Sequence, residues 1–439
     1  MRILKTTQTY YPYLAKGGPP GKVRGIARAL VERGHDVTVL TSDLGEPQGV
    51  ADADGLGRRR TAWGWRSMRD GVESIYLRSL TNYRATTINP NVLNFCVRRL
   101  HTYDVVHIYG LYDVLGAATG WFCRRLKIPY VLEPLGMFGP KIRSQQKKRA
   151  YGYLVGNGLF QGAKALVVSS EIERRELLAG GIDEGRIVLR RNGLEFSEFE
   201  NLPEKGALRN RLGIKENYPV VLFLGRLSFI KGLDLLVEAF AQTKNEARLV
   251  IAGPDDADGC LERLRSLRAE WKLEDRVILP GPLYGKEKLE ALVDADVFVM
   301  PSRYESFGNA AAEAIACGTP VLLTKESGIA PLIDGRAGIS VPCEVEELRD
   351  GLERLLKDQS LLNRLTEGCT AIAKSLSWDE PVEKTERLYA SLISREEVKS
   401  KVSEDNSTCT GGAAEGSQGQ ALCGRPWTTP PKSTRPEEE

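Results

Sequence analysis

Two glutamates eight positions apart, Glu305 and Glu313, lie in a segment reading Pro301-Ser302-Arg303-Tyr304-Glu305-Ser306-Phe307-Gly308-Asn309 that continues as Ala310 to Ala316. A carboxylate only accepts hydrogen bonds, and charge-assisted bonds are the stronger kind, so a pair of carboxylates suits a polyhydroxylated ligand. The apolar run Val297 to Met300 predicts a strand that delivers Glu305 to a loop at its carboxyl end. The helical pattern from Ala310 to Ala316 puts Glu313 about one turn inside the next element, so both side chains can face one cleft. The backbone N–H groups of Phe307, Gly308 and Asn309 then stand at a helix start, where unpaired donors and the macrodipole favour a phosphate. A plainer assignment makes Glu313 a complement to its helix's first turns and Glu305 a loop acid. Upstream, Gly225-Arg226 follows a strand over Val220 to Leu224, and Lys231-Gly232 opens a helix near Leu233. Arg226 as a planar fork and Lys231 as a point charge can hold a diphosphate and stabilise it as it leaves. Taken alone, the pattern GRxxxxKG fits ordinary surface charges equally well.

The elements that must position these residues form two α/β units. Residues 2 to 41 read as β-α-β: a strand near Arg2 to Thr7, a loop with Gly17 and Gly18, a helix from about Lys22, then a strand from Asp36 to Thr41. Val23, Ile26, Ala27 and Leu30 share one helix face, and Gly34 just past the end can take the left-handed conformation that terminates it. Further strands at Ser74 to Leu77, Val105 to Ile108, Tyr130 to Leu132 and Ala165 to Val168 alternate with helical stretches, the pattern of a doubly wound sheet. A second such sheet takes Val220 to Leu224, Arg248 to Ala252, Val277 to Leu279, Val297 to Met300 and Pro320 to Leu322, with helices such as Leu233 to Gln242 and Glu287 to Val293 between them. The division is an amino-terminal Rossmann-like domain over 1–195, a linker over 196–216 and a carboxy-terminal Rossmann-like domain over 217–377. A closing helix over 378–394 packs back on the first domain, and 395–439 is a disordered tail too poor in apolar side chains to offset ordering entropy.

A length of 439 residues suits this organisation, and 42% hydrophobic with 27% charged residues excludes wholesale disorder and a repetitive fibre. The net charge of +3 conceals an asymmetry. Residues 1–195 hold 30 Lys+Arg against 17 Asp+Glu, and the remainder 31 against 41. Such a basic half either is a solvated face or meets something anionic. Arg58-Arg59-Arg60, Arg124-Arg125-Lys127 and the stretch Lys141 to Arg149, with Phe138 nearby, suit an anionic membrane surface at about 1 kcal/mol per basic residue. No recognition helix or RNA-binding signature supports nucleic acid as a partner. Eight cysteines without a CxxC pair read as reduced, structural thiols. With no apolar signal core at the start and no run long enough to span a bilayer, the expected location is cytoplasmic, peripheral to the inner face of a membrane if the basic half docks there.

Together these pieces resemble glycosyltransferase family 4, the retaining group 1 nucleotide-sugar transferases of the GT-B fold. The matching residues are Gly17-Gly18, Arg33-Gly34-His35-Asp36-Val37, Asn192-Gly193, Arg226 with Lys231, Gly253-Pro254, the E-x7-E spacing of Glu305 and Glu313, and Gly318-Thr319-Pro320-Val321, over about residues 1–394. The resemblance implies a donor held mainly by the carboxy-terminal domain: Glu313 on the ribose hydroxyls, Glu305 on the transferred sugar, Arg226 and Lys231 on the diphosphate. Gly225, Phe307, Gly308 and Asn309 belong to the same donor site, and Gly17 and Gly18 let the amino-terminal backbone approach the phosphates. It further implies retention, with the acceptor hydroxyl attacking from the face the nucleotide leaves, and a saccharide or lipid-linked acceptor in polysaccharide or glycolipid biosynthesis. No cofactor is expected beyond the nucleoside-diphosphate sugar itself as co-substrate.

The family's frequent histidine near the sugar is absent: Glu133-Pro134-Leu135-Gly136-Met137 carries leucine there. His107, at the end of its strand, and Glu133 are the candidates for acceptor contact; a buried imidazole is the other reading of His107. Asp52-Ala53-Asp54, Asp256-Ala257-Asp258 and Asp294-Ala295-Asp296 are acidic enough for a divalent cation. The reading is nevertheless metal-independent, because the first two lie in surface loops, the third at the strand end away from the cleft, and Arg226 with Lys231 already supplies positive charge. A donor-binding pseudoenzyme and a nucleotide-sugar 2-epimerase are the alternatives. A nicotinamide enzyme is disfavoured, since Gly17-Gly18-Pro19-Pro20-Gly21 lacks GxGxxG and its prolines remove phosphate-facing N–H groups.

Overall fold

The computed structural model describes residues 1–13, 18–44, 59–83, 86–138 and 157–408. Gly17, Arg58, the triplet at Asp52 to Asp54, the basic stretch Lys141 to Arg149 and residues 409–439 lie outside the described residues.

The amino-terminal half is a nine-stranded sheet. Its strands are β1 (Arg2–Thr7), β2 (Asp36–Ser42), β3 (Arg59–Arg60), β4 (Gly64–Arg69) and β5 (Val72–Leu77), then, after a separate two-stranded ribbon of β6 (Thr81–Tyr83) and β7 (Thr86–Ile88), β8 (Val105–Tyr109), β9 (Tyr130–Glu133), β10 (Ala165–Val168) and β11 (Ile187–Leu189). The order is β11-β10-β9-β8-β1-β2-β5-β4-β3. All neighbours are parallel except β5-β4-β3, an antiparallel extension at one edge. The helices are α1 (Gly18–Glu32), α2 (Asn91–Arg99), α3 (Val114–Leu126), α4 (Asn157–Gly162) and α5 (Glu171–Ala179). α1 begins four residues before Lys22, at Gly18, with Pro19 and Pro20 inside its first turn. The first N–H groups of a helix have no intrahelical acceptor, so proline there forfeits nothing and its fixed φ favours the helix.

The carboxy-terminal half is a six-stranded parallel sheet of β12 (Val220–Leu224), β13 (Arg248–Ala252), β14 (Val277–Gly281), β15 (Val297–Met300), β16 (Val321–Thr324) and β17 (Gly338–Val341), in the order β14-β13-β12-β15-β16-β17. Its helices are α6 (Ala207–Leu212), α7 (Leu233–Ala241), α8 (Cys260–Glu270), α9 (Gly285–Asp294), α10 (Asn309–Ala316), α11 (Ala330–Ile333), α12 (Val345–Lys357) and α13 (Gln359–Lys374). The central strands of both sheets are buried from end to end, as continuous apolar runs covered on both faces require. Each sheet therefore has two apolar layers, one on each side. In both, the chain reverses its winding direction beside a central strand, between β1 and β8 and between β12 and β15. Crevices for ligands open at the carboxyl ends of strands at such switch points.

A last helix, α14 (Asp379–Thr408), returns from the second half and packs on α1. Just before it, Trp378 fills a gap lined by Gly25 and Gly193, where an added Cβ would fall within 2.4 and 2.5 Å of the indole. Helix continues past residue 394, where the sequence reading began its disordered tail. Pairs four apart, Lys384 with Glu380 and Arg387 with Glu383, support a helix that has few apolar residues.

Candidate functional site

β15 ends at Met300, and the chain turns through Pro301 to Gly308 before α10. Glu305 is held in that turn by its backbone: its N–H donates to Glu326 O at 3.0 Å and its carbonyl accepts from Gly328 N at 2.9 Å. Its carboxylate pairs with Lys231, which sits in a 3-10 turn (Phe229–Lys231) after β12. The two side chains are about as exposed as each other, 17% and 19%, so the pair lines a partly solvated crevice rather than a dry core. Two features bring Lys231 to this place. Gly232 has φ +65, and a Cβ there would lie 2.0 Å from Pro301 O, so only glycine lets the two loops meet. Arg303 then clamps the turn, forking onto both oxygens of Asp234 at 2.7 Å and donating to Phe229 O.

Two helix amino termini converge beside this pair. Ala312 N donates to Gly308 O as the first intrahelical bond of α10, leaving the N–H groups from Gly308 to Ala311 without intrahelical acceptors. Across the cleft Gly18, the first residue of α1, lies so close to Asn309 that a Cβ would be 3.0 Å from its amide nitrogen. Asn309 Oδ1 also accepts from Asn192 Nδ2 at 2.9 Å, a second link between the halves. The partial positive charge of both helix ends thus gathers beside the loop whose Glu305 pairs with Lys231, an arrangement that fits an anion such as a phosphate. The side chain of Phe307 is buried in the core and anchors the turn from below.

Glu313 faces Lys288 of α9 at 3.1 Å, both side chains 25% exposed. Burial would lower the Lys288 pKa, but Glu313 more than compensates and holds it above its ordinary value. This partner is not legible in the sequence, because α9 and α10 are separate elements and the spacing from Lys288 to Glu313 has no periodic meaning. Arg226 follows β12 and Gly225, but it leans sideways onto Asp256 at 2.7 Å in the loop after β13, with 47% of its side chain exposed. It stays at the strand ends, with its guanidinium engaged there by a carboxylate.

The acceptor-side candidates require a correction. His107 is 0% and Glu133 1% exposed, so neither presents surface to a substrate. They sit in a closed polar cluster under the strand ends. Glu133 contacts Lys22, Arg190 at 2.8 Å and His107 at 3.3 Å, while His107 Nδ1 lies 2.6 Å from the Tyr389 hydroxyl of α14. Lys5 donates to Tyr109 and Tyr389 in the same cluster. Burial alone would raise the Glu133 pKa, but Arg190 and Lys22 overcome it and hold the carboxyl well below its usual range. Burial lowers His107 to about 3, so the imidazole is neutral at ordinary pH. The other reading of His107, a buried imidazole, is the arrangement found.

The acidic triplets within the described residues are engaged in structure. Asp258 accepts from Phe229 N and Cys260 N, Asp294 from Gly206 N and Arg209 N, and Asp296 from Val220 N and Arg209. Among the described residues no group of three or more His, Cys, Asp or Glu could hold a metal ion, and no helix is long and apolar enough to cross a membrane.

Comparison with known proteins matches residues 204–370 to "Glycosyl transferases group 1" and residues 17–193 to "Glycosyl transferase 4-like domain". An uncharacterized glycosyltransferase of Methanocaldococcus jannaschii is 27% identical over 410 residues, covering 89% of this chain and 98% of its own. A D-inositol 3-phosphate glycosyltransferase of Xylanimonas cellulosilytica is 31% identical over 307 residues, 67% of this chain and 73% of its own. Among solved structures, HepE of Anabaena in complex with UDP-glucose superposes with a TM-score of 0.71 at 19% identity, covering 89% of this chain and all of that one. At that identity the likeness speaks to fold alone, and the fold is the two-domain GT-B architecture.

Proposed function

The chain belongs to the group 1 glycosyltransferases, and from that premise we propose that it moves a sugar, with retention of anomeric configuration, from a nucleoside diphosphate to a hydroxyl of a saccharide, inositol-phosphate or lipid-linked acceptor. The observation that carries this reading is the Lys231–Glu305 pair beside the converging amino termini of α1 and α10. One crevice thereby offers positive charge for a diphosphate and a carboxylate for sugar hydroxyls. Lys231 and the free N–H groups of α10 hold the diphosphate, with Arg226 joining by exchanging Asp256 for a phosphate oxygen. Glu305 binds the sugar and Glu313 the ribose diol. As the glycosidic bond to phosphate lengthens, negative charge grows on the diphosphate oxygen, and Lys231 with the helix ends stabilises it. The acceptor hydroxyl enters from the same face and passes its proton to the departing oxygen. The protein's contribution is positioning and charge stabilisation, without a covalent nucleophile.

The reading is metal-independent, which the structural engagement of Asp258, Asp294 and Asp296 supports. The acceptor class draws support from the name of the Xylanimonas relative and from the basic amino-terminal half. We further assign the chain to polysaccharide or glycolipid biosynthesis at the cytoplasmic face of a membrane. On α2 and α3, which pack together, Leu93, Val97 and Trp121 are exposed beside Arg98, Arg124 and Arg125, and neither helix contains an acidic residue. The test of the donor site is thermal stabilisation by UDP-, GDP- and ADP-glucose together with transfer assays. The wild-type chain gains stability with one of the three, and Lys231→Ala or Glu313→Ala abolishes turnover in a folded chain. Near-normal transfer by either variant contradicts the assigned roles.

A further inference from the structure

Glu173, on the first turn of α5, is 3% exposed. Its carboxylate is spent on holding two loops. One oxygen accepts from Gly136 N at 2.5 Å; the other accepts from Ser169 N at 2.7 Å and from the Ser169 hydroxyl at 2.5 Å. The Gly136 contact fixes the turn Pro134 to Met137 after β9, closed by Met137 N on Pro134 O. That turn is strained. Leu135 has φ +56 and Gly136 φ +73, and a non-glycine residue in the left-handed region persists only where its surroundings hold it there.

The turn also reaches across the cleft. A Cβ on Gly136 would lie 3.2 Å from Ser306 Cβ and 3.3 Å from Tyr304 Cε1, so its backbone packs directly on the loop that carries Glu305. The same helix makes a second crossing: the Tyr304 hydroxyl donates to Glu176 at 3.1 Å, and Ser169 Oγ stands 3.4 Å from Ser306 O. Strained turn, buried carboxylate and sugar-binding loop therefore form one junction at the wall of the crevice where an acceptor must enter.

We propose that Glu173 is a positioning residue for sugar transfer: by bonding Gly136 and Ser169 it holds the Pro134–Met137 turn against the 304–306 loop, and that turn forms the acceptor-side wall beside the sugar. The proposal rests on the transferase reading for its kinetic consequence, while its geometric part stands without it. Glu173→Gln keeps the size but puts an amide N–H₂ in place of either the oxygen that accepts from Gly136 N or the one that accepts from Ser169, so at least one of the three bonds is lost.

The full-length wild-type and Glu173→Gln chains are compared by hydrogen exchange and by turnover of UDP-, GDP- and ADP-glucose. Exchange is expected to quicken in peptides covering 134–138 and, across the cleft, 303–308, with β12 and β15 unchanged. The kcat of the sugar nucleotide that the wild type turns over falls about 100-fold, the scale of a small misplacement of reacting groups, with its KM within about twofold. Leu135→Gly in the Glu173→Gln chain, which removes the left-handed strain, recovers part of that loss. Unchanged exchange at 303–308, or kcat and KM that worsen together with a drop in Tm and no rescue by glycine, overturns the proposal. If the wild-type chain turns over none of the three donors, the transfer reading loses its support, and the exchange at 303–308 still decides the positioning claim.

Discussion

At the scale of single residues, two kinds of charge share the strand ends and must be kept apart. Lys231, Glu305, Lys288 and Glu313 remain partly solvated and can trade their present partners for ligand atoms. His107, Glu133, Lys22 and Arg190 are sealed, and their pairing serves the fold. The buried histidine has a measurable signature. With its pKa held near 3 in the folded chain against an ordinary 6.5, the unfolded state binds the extra proton between those values, so stability falls as pH is lowered through about 6.5 and below. Glu133, whose folded pKa is depressed, adds to the loss only at more acidic pH, below its own unfolded value. Urea melts of the wild type and His107→Gln between pH 7 and pH 5 are therefore predicted to show a steeper loss for the wild type, up to about 1.4 kcal/mol per pH unit for the one proton. Parallel slopes would mean that the imidazole titrates freely. The placement of Glu305, Glu313, Arg226 and Lys231 around the strand ends was legible in the sequence because they follow short apolar strand runs at small offsets. Lys288 and Glu173 were not, because their partners come from elements far away in the chain.

At the scale of elements, the strands were the most readable part, since buried parallel strands are short apolar runs with no competing pattern. Val220–Leu224, Arg248–Ala252 and Val297–Met300 were placed to the residue. The β3–β4 extension was missed: Gly64–Arg69 is half exposed and mixes Trp65 and Met68 with arginines, so it offers no apolar run. The junction between halves was readable only in part. Trp378 was seen as a helix start, yet what decides its role is the pair of glycines, Gly25 and Gly193, that make room for it. At 9% exposure, wedged between these elements, Trp378→Ala is predicted to cost about 3–5 kcal/mol, the range for truncating a buried large aromatic. The measurement is a denaturant midpoint. A loss under about 1 kcal/mol would show that α14 docks without the indole.

At the scale of the whole molecule, charge is segregated: the half that carries Glu305 and Glu313 is net negative, and the other is strongly positive. The arginines of α2 and α3 beside Trp121, Leu93 and Val97 predict adsorption to vesicles containing phosphatidylglycerol, weakened by salt as surface charge is screened. Replacing Arg98, Arg124 and Arg125 with Gln is expected to weaken it by roughly 3 kcal/mol, at about 1 kcal/mol per cation, measured by cosedimentation. Adsorption unchanged by that triple substitution would place the contact on another surface. The two halves meet through Asn192–Asn309, Tyr304–Glu176 and Gly18 against Asn309, so the crevice is a joint property of both sheets. The role proposed for that crevice is to grip a nucleoside diphosphate. Calorimetric titration of UDP, GDP and ADP into the wild type and into Lys231→Ala tests it most directly: one nucleotide should bind the wild type and bind the variant at least about tenfold more weakly, as loss of a charge-assisted contact requires. Equal affinity for both chains, or binding of none of the three, would contradict it.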